Sequence, residues 1–253
     1  MAAGKIAVFD AEISVAGDRR RRDLFELSIG YALILLVIWT PSPWQKPMYW
    51  VAAAFIVAVS WRSFDGWPAM GLRSANLLCS LWVVGVALLG AAVAVMVATR
   101  LHTLRPWHGP VELIQRFWGY ALWAFLQQLL IQVFFLRRLL RLVPGKGLAI
   151  TLAAGIFALA HLPSPILTVA TLFWGLASCA LFLRYRNLYP LAIAHAILGI
   201  TMAITCPGPV THNMRVGLGY LTYSTHRFHH RNHKDHIVST DAWVIADAPT
   251  LRS

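Results

Sequence analysis

The sequence predicts an all-α polytopic membrane protein with about seven to eight transmembrane helices, and three observations support this fold class. The 253 residues are 58% hydrophobic and only 13% charged, with a mean hydropathy of +0.61, which excludes an ordinary water-soluble domain. Apolar runs long enough to cross a bilayer recur along the chain. No run alternates as a barrel strand does, so the spans are expected to be helices.

Seven spans follow one another along the chain. The first begins directly after the basic cluster 19–22, and because no cleavable signal peptide is evident, we expect it to be retained. The second is short, and Pro163, Pro165 and Pro190 mark tight connections between the last three. The predicted ranges are 24–41, 48–61, 76–99, 113–136, 148–162, 166–183 and 188–205.

The composition divides the chain into four parts. Residues 1–23 form a cytoplasmic amino-terminal segment, 24–110 the first transmembrane helices, 111–205 a helical core, and 206–253 a polar, histidine-rich tail. Within the tail, residues 214–224 are apolar enough for a partial or re-entrant eighth helix but too short to cross the membrane unaided.

The net charge is +12, and the basic residues that produce it are distributed unevenly between the two sides of the predicted membrane. With the amino terminus in the cytoplasm, inside segments carry 13 of the 22 basic residues and outside loops carry four. This asymmetry is the positive-inside pattern, so the basic residues are expected to face anionic membrane lipid. The same placement argues against nucleic acid as a partner.

Three glutamines interrupt the fourth predicted span, in the stretch 123–138 with the sequence WAFLQQLLIQVFFLRR. A carboxamide that lipid leaves unpaired costs about 2 kcal/mol or more, so Gln127, Gln128 and Gln132 must face protein. Gln128 and Gln132 are stacked one helical turn apart. Two interpretations stay open: interhelical contacts worth about 0.6 to 2 kcal/mol each, or part of a functional site.

Two histidines lie in later spans, and ionisable groups in a membrane often mark functional sites. His161 ends the fifth predicted span and His195 lies inside the seventh. At about 1.5 Å per residue from the basic ends, Gln128 and His195 are level, each about 13 Å deep, whereas His161 lies about 22 Å from Lys146. His161 is therefore expected to join the others only if the fifth helix tilts or begins outside the hydrocarbon.

The sequences around the two histidines resemble two motifs of the CAAX-protease and bacteriocin-processing intramembrane endopeptidases, the CPBP or Abi family. Phe157 and His161 in FALAHLP match the family's Phe and His four residues apart. His195 in YPLAIAHAILG matches the third histidine, although Gly199 stands where a polar residue is usual. The stretch 64–73, FDGWPAMGLR, is similar to the family's cytoplasmic loop.

The first family motif is altered in this chain. The family has two glutamates and an arginine four residues after the second, and QQLLIQ places Gln127 and Gln128 at the glutamates and Gln132 at the arginine. By this resemblance, Gln127 removes the carboxylate expected to deprotonate water. Gln128 and Gln132 replace a stacked ion pair by a stacked amide pair, which avoids the cost of burying charges.

The resemblance implies an intramembrane endopeptidase that hydrolyses a peptide bond of a membrane-embedded or membrane-associated substrate, in the bacterial cytoplasmic membrane. His161, His195, Gln127 and Gln128 are then the candidate catalytic residues, with Gln132 and Phe157 in support. One divalent metal such as zinc, held by His161 and His195, is compatible with the family's chemistry. The alternative is a pseudoprotease that binds a membrane segment or partner without turnover.

The tail suggests a third hypothesis. His226, His229 and His230 spell H-x-x-H-H, one of the boxes with which membrane oxygenases hold two irons. Such enzymes need further boxes, which the remaining histidines do not form. A solvated segment that binds metal adventitiously is the favoured interpretation of this tail.

Overall fold

The computed structural model describes residues 2–105 and 109–223, and all regular structure within them is helical. The all-α prediction is confirmed. Seven long helices follow the chain: α1 Ala2–Trp39, α2 Gln45–Arg62, α3 Leu77–Arg100, α4 from Pro110 to Leu142, α5 Lys146–Leu159, α6 Pro165–Tyr185 and α7 Tyr189–Thr205.

Each of the seven predicted spans overlaps one of these helices, and two helices extend more than five residues beyond the predicted limits. Helix α1 begins at Ala2, so the basic cluster 19–22 is already helical. Helix α4 continues through a π-helical segment, Leu130–Leu136, into Arg137–Leu142. By length and composition, three described helices are apolar enough to cross a membrane, namely Leu77–Arg100, Ile114–Leu142 and Pro165–Tyr185, while Lys146–Leu159 and Tyr189–Thr205 are apolar but shorter.

The predicted partial eighth helix is a single short turn. Gly217–Leu221 is five residues long and packs against α1. The Gly217 amide donates to the Leu162 carbonyl at 2.8 Å, and a Cβ at Gly217 would collide with Ile38, which explains a glycine at φ +54°. The histidine box of the tail lies outside the described residues.

Helices α5 and α6 approach closely because small residues line their contact. Ala149, Ala153, Ala154 and Ala158 of α5 are buried. A Cβ added to Gly175 of α6 would lie 3.0 Å from Cα of Ala154. Small residues let helix backbones pack tightly where lipid supplies no hydrophobic drive, and this contact fixes the position of the carboxyl end of α5.

One end of the bundle, called the basic end, carries the loop 63–76, the last turns of α4 and the turn 184–188. Arg138 of α4 contacts Glu26 of α1 at 2.9 Å with both side chains nearly inaccessible, and Arg141 contacts Asp23 at 2.7 Å. Arg73 donates to main-chain carbonyls of the turn 184–188. These contacts place on one end the segments that the charge distribution assigned to one side of the membrane.

Candidate functional site: two histidines and an amide cluster

Four polar side chains from three helices meet inside the bundle, and we call them the amide cluster: Gln128 and Gln132 of α4, Ser178 of α6 and His195 of α7. Gln128 Nε2 lies 3.1 Å from His195 Nδ1. Gln132 Nε2 lies 3.2 Å from both Gln128 Oε1 and Ser178 Oγ. All four residues are buried. The predicted stacking of Gln128 on Gln132 is thus a hydrogen bond, which forms where the α-helical part of α4 passes into its π-helical segment.

The direction of these hydrogen bonds follows from the donors and acceptors present. Ser178 Oγ donates to the Gly175 carbonyl at 3.3 Å, so its oxygen accepts from the Gln132 amide. Gln132 therefore donates to Gln128 Oε1, and Gln128 turns its own N–H towards His195 Nδ1. Reversing both amides would bury an unpaired NH₂ with two donors in place of the single Gln132 acceptor. Nδ1 of His195 is consequently the acceptor, and its proton lies on Nε2.

His161 has the opposite arrangement. It lies in the turn after α5, where its Nδ1 is 2.8 Å from the main-chain carbonyl of Phe157. A carbonyl can only accept, so Nδ1 of His161 carries the proton and Nε2 keeps its lone pair. The Nε2 atoms of the two imidazoles thus differ chemically: Nε2 of His195 is a donor and Nε2 of His161 is an acceptor.

Phe157 joins the two histidines. Its ring centroid lies 4.9 Å from that of His161 and 5.9 Å from that of His195, both in edge-to-face geometry. The depth count from the sequence set His161 apart from His195, whereas a single phenyl ring separates them here. Helix α5 ends at Leu159, so His161 lies in the turn that follows it rather than on the helix itself.

Gln127 is not part of the hydrogen-bonded amide cluster. Its side chain is half-buried and makes no hydrogen bond with any described residue. Consecutive residues of a helix differ by 100° in direction, so Gln127 leaves the helix at a different angle from Gln128. Within the first motif, Gln128 and Gln132 are thus joined to His195 by hydrogen bonds, and the predicted role of Gln127 stays untested.

Trp174 and Ser178 belong to the site but were not predicted. The Trp174 ring centroid lies 5.9 Å from that of His195, which is therefore flanked by Trp174 and Phe157. Both unpredicted residues come from α6, which carries no recognised motif. A hydroxyl and an indole four residues apart inside an apolar span were the only signal available in the sequence.

Gly199 packs closely against Tyr120 of the facing helix α4. A Cβ built on Gly199 would collide with the hydroxyl and ring of Tyr120 from α4. Gly199 lies one turn after His195, and Tyr120 lies two turns before Gln128, so both are on faces that carry site residues. The Tyr120 phenol thus occupies the space that a polar side chain at position 199 would need.

Two buried polar atoms of the site have no hydrogen-bond partner among the described residues: Oε1 of Gln132, in the amide cluster, and Nε1 of Trp174, whose ring lies near that of His195. A buried polar group without a partner usually marks a water or ligand position. One of these atoms is an acceptor and the other is a donor. Each of them can therefore form a hydrogen bond with a water molecule or another polar group.

The residues were also compared with the requirements of a zinc ion. A zinc site takes three or four His, Cys, Asp or Glu ligands. No group of three such side chains occurs within the described part of the chain. Nε2 of His195 also carries a proton in the network derived above. His161 and His195 alone are thus too few ligands for a zinc site among the described residues, and their predicted role as metal ligands stays a prediction.

The family model described as type II CAAX prenyl endopeptidase Rce1-like matches residues 109–201. The match extends from the start of α4 into α7 and contains every residue of the amide cluster together with Phe157 and His161. It confirms the family resemblance predicted from the sequence. No curated protein and no solved structure is significantly similar to the chain.

Proposed function

On the premise that residues 109–201 assign this chain to the CAAX-protease family, we propose that it is an intramembrane endopeptidase in which His161 is the general base and His195 stabilises the oxyanion. One observation carries the proposal: Nδ1 of His195 faces an amide donor, whereas Nδ1 of His161 faces a carbonyl. Peptide hydrolysis needs both one group that accepts a proton and one that donates to the developing negative charge.

The chemistry then uses the two Nε2 atoms in turn. Nε2 of His161 takes a proton from water as the water oxygen bonds to the carbonyl carbon of the substrate. The carbonyl oxygen becomes negative and accepts a hydrogen bond from Nε2–H of His195. When the C–N bond breaks, the imidazolium of His161 returns the proton to the leaving amine. Protons and charges balance without a carboxylate.

The carboxamides hold His195 in its donor tautomer. A carboxylate at position 128 would accept from Nδ1 and leave Nε2 unprotonated, whereas the amide nitrogen of Gln128 donates to Nδ1. Gln132 fixes the direction of Gln128 through its own bond to Ser178. The replacement of glutamates by glutamines is thus consistent with a changed division of roles between the histidines.

Cleavage of peptides tests the proposal. Purified protein in detergent is incubated with a library of membrane-segment peptides, some of them prenylated near the carboxyl terminus, and the products are identified by mass spectrometry. We expect discrete cleavage products from the wild type and none from His161→Ala. No cleavage of any peptide by a folded wild-type protein would refute the proposal.

A second candidate, the pseudoprotease, is favoured by one observation. The amide cluster contains no carboxylate, and its buried Gln132 oxygen is unpaired, so the same groups could bind a peptide backbone without hydrolysing it. In that case, membrane-segment peptides would bind the wild type and not Gln132→Leu, and no product would form on prolonged incubation.

A further inference from the structure

Three arginines from different parts of the chain surround one open pocket at the basic end. The pocket has a volume of about 490 Å³ and is lined by Pro68, Ala69, Arg73, Arg137, Leu140 and Arg186. The lining thus combines three guanidinium groups with an apolar wall and contains no carboxylate. It lies outside the amide cluster and plays no part in the proposed hydrolysis.

Each of the three guanidinium groups has a contact within the protein that restricts it before a ligand binds. Arg73 donates to the carbonyls of Arg186 and Tyr185 at 2.9 and 3.1 Å. Arg137 is paired with Asp65, which is exposed and is not part of the lining. Arg186 has φ +51° and its guanidinium lies 5.8 Å from the ring centre of Phe182. Fixed side chains lose little entropy on binding, which favours affinity.

The charge at the pocket is unbalanced. Asp65 compensates one of the three positive charges, and the bonds of Arg73 are to neutral carbonyls. Phosphate oxygens match the planar fork of a guanidinium, and an anion placed between fixed arginines gains charge-assisted hydrogen bonds. The chemistry that fits is therefore an anionic phosphate group.

The surroundings distinguish a lipid phosphate from a free one. Pro68, Ala69 and Leu140 give the pocket an apolar wall. Trp67, next in the chain, is 59% exposed, as expected of an indole at the level of the headgroups. We propose that this pocket binds the phosphate headgroup of an anionic membrane lipid in the leaflet at the basic end.

Thermal unfolding in detergent tests this site with defined probes. The wild type is titrated with a short-chain phosphatidylglycerol, with phosphatidylcholine of the same chain length, and with inorganic phosphate. We expect phosphatidylglycerol to raise the melting temperature in a saturable manner and the other two to have little effect. The single variants Arg186→Gln and Arg137→Gln should each weaken the apparent affinity for phosphatidylglycerol about tenfold, because each removes a charge-assisted hydrogen bond.

The matched control is Arg184→Gln. Arg184 is an exposed arginine in the same turn, but it lies against Tyr185 and does not line the pocket. It should leave the phosphatidylglycerol titration unchanged, and melting without lipid shows whether each variant folds. Equal affinities for the wild type and Arg186→Gln would overturn the proposal. An equal response to inorganic phosphate would identify a free anion as the ligand and would overturn the assignment to lipid.

Discussion

The side-chain nitrogen of Gln128 lies 3.1 Å from Nδ1 of His195. Because an amide nitrogen only donates, this contact sets the position of the imidazole proton at the opposite ring nitrogen. The same ring atom of His161 faces the carbonyl of Phe157 at 2.8 Å, which sets the reverse tautomer. Two histidines separated by one phenyl ring therefore carry their protons on opposite ring nitrogens.

The tautomers can be measured directly. In protein labelled with ¹⁵N at histidine, we expect the unprotonated ring nitrogen to be Nδ1 in His195 and Nε2 in His161. Gln128→Met removes the donor and should release His195 into a mixture of tautomers. Gln127→Met should leave the tautomer of His195 unchanged, since Gln127 makes no hydrogen bond with the amide cluster. Protonated Nδ1 on His195 of the wild type would contradict the derived network.

Substitution by glutamine separates the two proposed catalytic roles. A carboxamide can donate a hydrogen bond to an oxyanion but cannot take a proton from water, so His195→Gln should retain more activity than His161→Gln. We expect His161→Gln to lower kcat/KM by about 10² to 10⁴, the usual contribution of a general base. The measurement is the rate of cleavage of the best library peptide.

His102→Asn is the control for these rates. His102 is exposed in the loop after α3, and its φ of +55° is one that asparagine tolerates. It should cleave at the wild-type rate. If His195→Gln were the less active of the two glutamine variants, the assignment of base and oxyanion donor would have to be exchanged.

The helices and part of the site could be predicted from the sequence. The length of apolar runs located all seven helices, because lipid allows a spanning segment few other structures. The four-residue spacing of Gln128 and Gln132 predicted their contact, because residues so spaced are neighbours on a helix. Both predictions depend only on local geometry.

Contacts between helices could not be predicted in this way, because composition does not fix how helices rotate against one another. Ser178 donates to the Gly175 carbonyl of its own helix, as serines in helices commonly do. Its sequence position therefore gave no sign of the second contact with Gln132. Tyr120 gave no sequence sign that it would face Gly199. The π-helical segment of α4 was likewise unpredicted, since nothing in its residues marks the extra residue per turn.

The buried ion pair at the basic end predicts a large asymmetry between single and double substitutions. Arg138 is 2% exposed and bonds to Glu26 at 2.9 and 3.0 Å. Glu26→Leu leaves the guanidinium buried without its partner and should lower the free energy of unfolding by about 3 to 5 kcal/mol. Glu26→Leu combined with Arg138→Met should recover most of this loss.

The control at the same carboxylate is Arg22→Ala. Arg22 is half exposed and contacts Glu26 at 3.8 Å, so its loss should cost about 0.5 kcal/mol or less. Unfolding by denaturing detergent, followed by circular dichroism, gives the free energy of unfolding of the wild type and of the three variants. A double variant no more stable than Glu26→Leu would mean that the arginine has a role beyond neutralising the charge.

The contact of Gly199 with Tyr120 predicts a strong coupling between two helices. Gly199→Ala places a methyl group against the phenol and should destabilise the protein by about 1 to 3 kcal/mol, the usual cost of overpacking. In the Tyr120→Ala background the methyl group meets open space, so the same change should be close to neutral. Gly119→Ala is the control, because a Cβ at Gly119 meets nothing within 4 Å and should stabilise the helix by about 0.5 to 1 kcal/mol. Unfolding free energies of the two single variants and the double variant give the coupling directly, and additive effects of Gly199→Ala and Tyr120→Ala would show that the two residues do not touch.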